Sequence, residues 1–239
     1  MTNTQLIKVI SLDLDNTLWD VEATIITAER QLRYWMSERT PAAHEIYVGS
    51  ELGVLRAEVI EAFPNMRHDL SFMRTQMLTS VMRRSGMSES VSATMAAEAF
   101  EVFFGYRNQV VFYPETHDLL AQLASGYKLY ALTNGNADIY RAGIGHFFQG
   151  AINSAGVGAS KPDEQMFHAV TEAAGVSAEE VVHIGDNLID DVSGALNAGM
   201  HAIWFNQTGA VNQHEHLVPS ATVDNLGLIP AAIESIAAL

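Results

Sequence analysis

The 239-residue sequence predicts an α/β protein: a parallel sheet with helices on both faces, interrupted after its first strand by an all-helical insert. Three observations predict it. Through the second half of the chain, short apolar runs alternate with helix-like segments at the spacing of βαβ units, which makes neighbouring strands parallel. One further apolar run stands alone near the N-terminus, at residues 8–14 (KVISLDL). Between that run and the others, residues 20–112 are rich in Ala, Glu, Arg, Met and Leu, and Phe72, Met73, Met77 and Val81 recur at helical intervals.

Residues 8–14 stay mostly apolar until they end in carboxylates, the pattern of a buried strand with acids at its C-terminal end. Breaks at Pro41, Gly49 with Ser50, Pro64 with Asn65, and Gly86 divide the insert into about four helices. After Pro114, buried strands are expected at 127–133 (YKLYALT), 150–154, 181–185 (VVHIG) and 201–205 (HAIWF), with a minor one at 222–223. Helices are expected at 116–124, 163–174 and 190–198. The domain reading is an α/β core of residues 1–19 and 113–239 and a helical domain of residues 20–112.

Composition removes several classes of function. Zero cysteines exclude disulfides, thiolate catalysis and cysteine-based metal sites. No apolar run approaches the roughly 18 residues that span a bilayer, and the N-terminus has no basic segment followed by an apolar one. A cytoplasmic protein without membrane partners is expected. A net charge of −15 argues against nucleic acid as a partner. Its distribution is uneven. Residues 20–112 hold 12 acids and 9 bases, whereas the remainder holds 16 acids and only 4 bases.

Four polar motifs fall at the expected C-terminal ends of strands, where open α/β sheets place ligands. Asp13-Leu14-Asp15-Asn16-Thr17 sets two acids two apart as the first strand gives way to a loop. Thr133-Asn134-Gly135-Asn136 offers a hydroxyl and backbone N–H groups to an anion, although Asn-Gly is also a turn signal. Ser160-Lys161-Pro162-Asp163 puts one of only three lysines before a helix start, with Pro162 near its first position. Gly185-Asp186-Asn187-Leu188-Ile189-Asp190-Asp191 carries three acids that either chelate a hard cation or favour a helix N-terminus.

Taken singly, each motif has an ordinary structural explanation. As an ordered set they resemble the haloacid dehalogenase (HAD) superfamily: DxDxT on the first strand, Thr after the second, Lys before a helix, and GDxxx(x)D after the fourth. The resemblance implies a Rossmann-like core, and the helical insert looks like that superfamily's C1 cap. It further implies a Mg²⁺-dependent phosphomonoester hydrolase working through an aspartyl-phosphate. Asp13 is then the nucleophile and Asp15 the general acid and base. Mg²⁺ is taken by Asp13, the main-chain carbonyl of Asp15, Asp186, phosphate and water, and a further acid, where Asp191 is preferred over Asp190, holds one of those waters from the outer sphere. Thr133 and the Asn134 N–H hold a phosphoryl oxygen, and Lys161 pairs with phosphate and Asp13. Because Asp15 is retained, dehalogenation is not expected: halide leaves without a proton.

A closer resemblance, to YigB-type phosphatases, rests on Leu12 to Asp20, on His68-Asp69 with Arg74, on Thr133 to Ala137, and on Ser160-Lys161-Pro162. It departs at Trp19, where Tyr is usual, and at Asn16, where Asp is usual. It implies that flavin mononucleotide or the phosphorylated ribitylaminouracil precursor of riboflavin is the substrate, with His68 and Arg74 among the binding residues. Tyr34, Trp35, Phe72, Met73, Arg56 and Arg67 are further candidates for a lining. The alternatives are a phosphatase for another sugar phosphate or a nucleoside monophosphate, and a non-catalytic ligand-binding relative. In every case the partner is a small phosphorylated metabolite and the chain is a monomer or homodimer.

Overall fold

The structure, a computed structural model, describes residues 7–238. The leader-free reading of the N-terminus concerns residues 1–6, which lie outside them, as does Leu239. Two compact units make up the chain: one runs to Asp20 and resumes at Val111, and the other is Val21–Val110.

The first strand, β1 (Val9–Leu12), is wholly buried. The helical unit comes next as α1 (Val21–Arg39), α2 (Pro41–Val48), α3 (Glu51–Ala62), α4 (Leu70–Arg84) and α5 (Glu89–Arg107). There are thus five helices rather than four. Pro41 opens α2 at a position where its missing N–H costs nothing, and Gly49 closes it, so this eight-residue helix stands by itself. On α1 the buried residues Thr24, Ala28, Leu32 and Met36 recur every fourth position, giving one apolar stripe. Ala28, Leu32 and Met36 of that stripe join Tyr47, Leu55, Met77, Leu78, Val81, Met82, Ala96, Ala99 and Phe103 in a core of this unit alone.

The α/β unit then continues through α6 (Thr116–Gly126), β2 (Lys128–Thr133), β3 (Gly150–Asn153), α7 (Ser154–Val157), α8 (Glu164–Ala174), β4 (Val181–Gly185), α9 (Gly194–Asn197), β5 (His201–Phe205), β6 (Ala221–Val223) and α10 (Ile229–Ala237). Its six strands form one parallel sheet in the order β3-β2-β1-β4-β5-β6, with helices on both faces, as the alternation of runs predicts. The inner strands are almost entirely buried. The sequence predicts a buried strand at 150–154 too, but β3 lies at a sheet edge and keeps half-exposed side chains, as does β6 at the other edge. Short α7 and the apolar C-terminal α10 are additions to the sequence reading. The segment after β4 is a π-helical turn, Leu188–Ser193, before it becomes α9.

The strand order determines where a ligand can sit. Successive strands step outward from β1 to β2 and β3, and the chain then returns to β1's other side for β4, β5 and β6. The reversal lies between β1 and β4, and a crevice outside their C-terminal ends is where open α/β sheets take ligands. Just beyond β1 the chain leaves through a closed neck. Trp19 bridges Phe112, their rings meet edge to face at 5.6 Å, and the Tyr113 N–H donates to the Leu18 carbonyl at 2.9 Å.

Candidate active site

Asp13 comes directly after β1, and its N–H still donates to the Ile184 carbonyl of β4, so its side chain starts from the sheet's reversal point. The next residues form a tight turn. Asn16 sits at φ 60°, a left-handed conformation that Asn tolerates better than most residues, and its N–H donates to the Trp19 carbonyl. This brings the buried Trp19 back under the loop, where its indole N–H donates to Asp15 Oδ1 at 2.8 Å. The Thr17 hydroxyl reaches Asp13 Oδ2 at 3.4 Å.

Lys161 is buried and all three of its N–H bonds are used. They go to Asp13 Oδ1 at 2.6 Å, Asp191 Oδ1 at 2.6 Å and the Leu132 carbonyl at 2.8 Å. Its main chain is clamped from both sides by one amide, since Asn134 Nδ2 donates to the Lys161 carbonyl and Asn134 Oδ1 accepts from the Lys161 N–H. The expected helix start shifts here: the first position of α8 is Glu164 rather than Pro162, and Asp163 is its cap, accepting from the Gln165 N–H. Thr133 ends β2, and its hydroxyl oxygen accepts from the Gly135 N–H at 2.9 Å, which leaves the hydroxyl proton for donation.

On the far side, the π-helical turn settles which acid faces inward. Its extra residue turns Asp191 into the interior, while Asp190 stays half-exposed. Oδ1 of Asp191 receives Lys161 and His183, and Oδ2 receives the Asn187 N–H at 2.9 Å. Gly185 is required beneath it. A Cβ there would lie 2.2 Å from the Asp191 carboxyl carbon. Asp186 is set by its own carbonyl, which accepts the Trp204 indole N–H from β5.

Asp13, Asp186 and Asp191 each bring a ligand atom within 4.8 Å of the others. The electrostatics show how crowded this is. Burial raises Asp13, against the pull of Lys161 and aided by repulsion from Asp191 and Asp186. Burial and Asp191 push Asp186 up to about 6. Burial would raise Asp191 too, but Lys161 and His183 hold it below the usual carboxylate range. Burial would lower Lys161, but Asp13 and Asp191 outweigh it and keep the ammonium charged. Fully ionised, three carboxylates and one ammonium leave two negative charges, and all-oxygen donors with that balance suit a hard divalent cation such as Mg²⁺.

The family profile described as haloacid dehalogenase-like hydrolase matches residues 7–199, a stretch that contains this cluster. The chain belongs to that family. Among its relatives, this hydrolase is 31% identical over 230 residues to 5-amino-6-(5-phospho-D-ribitylamino)uracil phosphatase YigB of Escherichia coli (strain K12), covering 95% of the chain and 96% of that protein. It is 39% identical over 118 residues to a phosphoserine phosphatase of Thermus thermophilus, covering 47% of each. A crystal structure described as 2-haloacid dehalogenase from Pseudomonas syringae pv. Tomato DC3000 superposes with a TM-score of 0.92 at 35% identity, over 96% of this chain and 99% of that one.

The hydrolase thus draws Asp13, Asp186, Asp191 and Lys161 into one cluster, with Thr17 and the Asn134 amide in support. The Asp15 carboxylate is outside the three-acid group, held by Trp19. Arg74 and His68 belong to the helical unit. Arg74 donates to Glu29 and its guanidinium lies 3.6 Å from the Phe103 ring centroid, while Asp69 caps α4 by accepting from the Phe72 N–H. Phe72 meets Phe63 edge to face, and Tyr34 is exposed. Sequence reasoning missed His183 and Ser11, both fully buried beneath Asp191. Their one visible signal was a polar residue at the centre of an otherwise apolar strand. No helix among the described residues is long and apolar enough to cross a membrane.

Proposed function

We propose that the protein is a Mg²⁺-dependent phosphomonoester hydrolase acting through an aspartyl-phosphate on Asp13, with flavin mononucleotide or the phosphorylated ribitylaminouracil precursor as leading substrate. The observation that carries this reading is a buried carboxylate held by a fully committed lysine among two further acids, at the reversal point of the sheet. One relative matched over nearly its whole length is a phosphatase for that precursor, and other relatives, some matched as fully, are phosphatases for other phosphates, which makes the reaction better supported than the substrate.

The chemistry is set by the needs of a phosphate ester, whose oxygens repel an incoming anion and whose alkoxide leaves poorly. Lys161 holds Asp13 Oδ1 and leaves Oδ2 to attack phosphorus. The ester P–O bond breaks as Asp15, steadied by Trp19, gives its proton to the departing oxygen. Asp15 then takes a proton from water as that water attacks the phosphoryl group, releasing phosphate and restoring Asp13. The Thr133 hydroxyl and the Asn134 N–H hold a phosphoryl oxygen meanwhile. Asp13, Asp186, Asp191 and the Asp15 carbonyl would hold Mg²⁺, which when bound supplies the positive charge that lets two anions meet. The helical unit, residues 21–110, serves in this reading as the cap that selects the leaving group.

Halide displacement is the competing reading, raised by the 2-haloacid dehalogenase likeness. Halide needs no proton, so that chemistry leaves Asp15 and its Trp19 hydrogen bond without a role. A panel of phosphomonoesters, with 2-chloropropionate alongside, separates the two. Release of phosphate with flavin mononucleotide among the best substrates is expected, and Asp13→Asn should reduce it more than about 10³-fold while leaving the protein folded. Chloride release without phosphate release would overturn the reaction, and a large preference for hexose phosphates would overturn the substrate.

A further inference from the structure

Beneath the acidic cluster lies a polar chain that the proposed chemistry does not use. Ser11 on β1 and His183 on β4 are direct partners in the parallel register, so their side chains emerge side by side on one face of the sheet. Both are fully buried. Ser11 Oγ and His183 Nδ1 are 2.8 Å apart, and His183 Nε2 lies 3.0 Å from Asp191 Oδ1. Phe167 closes the other side of the imidazole, edge to face at 5.3 Å.

The hydrogen-bond directions can be deduced. Asp191 is ionised by its pairing with Lys161, so both its oxygens only accept and His183 Nε2 must donate. With the ring proton on Nε2, Nδ1 is an acceptor, and the Ser11 hydroxyl 2.8 Å away donates to it. With Lys161 and His183 on Oδ1 and the Asn187 N–H on Oδ2, three of the four acceptor positions of Asp191 are filled, and the last is on Oδ2. The neutral imidazole also supplies its hydrogen bond without adding positive charge to the cluster.

We propose that Ser11 and His183 are positioning residues: the Ser11 hydroxyl, donating to Nδ1, holds the imidazole in place, and the Nε2–H fixes the Asp191 carboxylate in the orientation that serves the metal-binding cluster. This rests on the proposed function for its metal-binding and kinetic parts. Two substitutions at the ring separate hydrogen bonding from packing, since His183→Leu fills space without a donor and His183→Gln restores an N–H near Nε2.

Three measurements test it. In the metal-free protein, ¹⁵N spectra of the imidazole should show the Nε2–H tautomer, and Ser11→Ala should keep that tautomer, since Asp191 still accepts from Nε2, while shifting the Nδ1 resonance that has lost its hydrogen bond. Calorimetric titration with Mg²⁺ should show His183→Leu weakened by about 10-fold to 100-fold, the range expected for a group supporting a metal ligand, with His183→Gln recovering most of it. With an aryl phosphate at saturating Mg²⁺, kcat should fall in His183→Leu more than KM changes. If His183→Leu does not fold, Ser11→Ala and His183→Gln carry the test. An Nδ1–H or doubly protonated ring in the wild-type protein overturns the proposal, as does equal Mg²⁺ affinity in wild type and all variants, or a Gln variant no better than Leu. Wild-type protein that binds no Mg²⁺ would instead overturn the metal-dependent reading, while the tautomer result would still judge the Ser11–His183 pair.

Discussion

Each unit of the molecule holds a set of partly or wholly buried charges, and the two sets are built differently. In the helical unit, Arg74 meets Glu29, the Tyr47 hydroxyl donates to the same carboxylate at 2.9 Å, and Phe103 covers the guanidinium. One positive charge faces one negative charge. In the α/β unit, a single ammonium is shared by Asp13 and Asp191 with Asp186 alongside. The first set is complete in itself and braces helices. The second, with its acids ionised, is short of positive charge, which a cation or a proton can supply. Counting charges inside each cluster, rather than over the surface, distinguishes a brace from a site.

Removing the shared cation should have the largest effect on this contrast. Lys161→Met leaves Asp13 and Asp191 buried together without their shared ammonium, and about 3–5 kcal/mol of stability should be lost, the scale for breaking a buried pair. Urea unfolding measures it, and a variant as stable as wild type would show that the cluster is not strained by its acids. A smaller effect comes from pH. Asp186 stands at about 6 rather than 3.8, so protonation is favoured in the folded state and stability is greatest in acid. The metal-free protein should therefore lose stability as pH rises from 3.8 to about 6. Mg²⁺ should offset that loss, so the gap in Tm with and without Mg²⁺ should widen across the same window, and Asp186→Asn should flatten it. The smallest effect belongs to the balanced set. Tyr47→Phe should cost about 0.5–1.5 kcal/mol, one hydrogen bond, with turnover of an aryl phosphate unchanged.

Local patterns carry most of the fold. The run 181–185 reads as a buried strand whatever its neighbours are, and Pro41 and Gly49 mark helix ends by their own backbone chemistry. The motif acids are legible for the same reason, as each sits where a strand gives way to a loop. What stays hidden depends on distant pairing. Ser11 and His183 are 172 residues apart and meet only through the register of β1 with β4. Spacing alone allows either Asp190 or Asp191, because the decision lies in a π-helical turn whose extra residue leaves no mark in the hydrophobic pattern. The sequence points to Asn134 through its backbone N–H, whereas its side chain clamps a lysine 27 residues away.

The neck at Trp19 and Phe112 has a consequence for how such a protein diversifies. Both ends of the helical insert pass through one bridged point, so the interval between them joins no strand of the sheet. Residues can be gained, lost or exchanged there without shifting the register that brings Asp13 level with Ile184 or Ser11 level with His183. If the helical unit selects the leaving group as proposed, selectivity and reactivity are written in separate stretches of one gene, and a lineage can revise the first many times while inheriting the second intact.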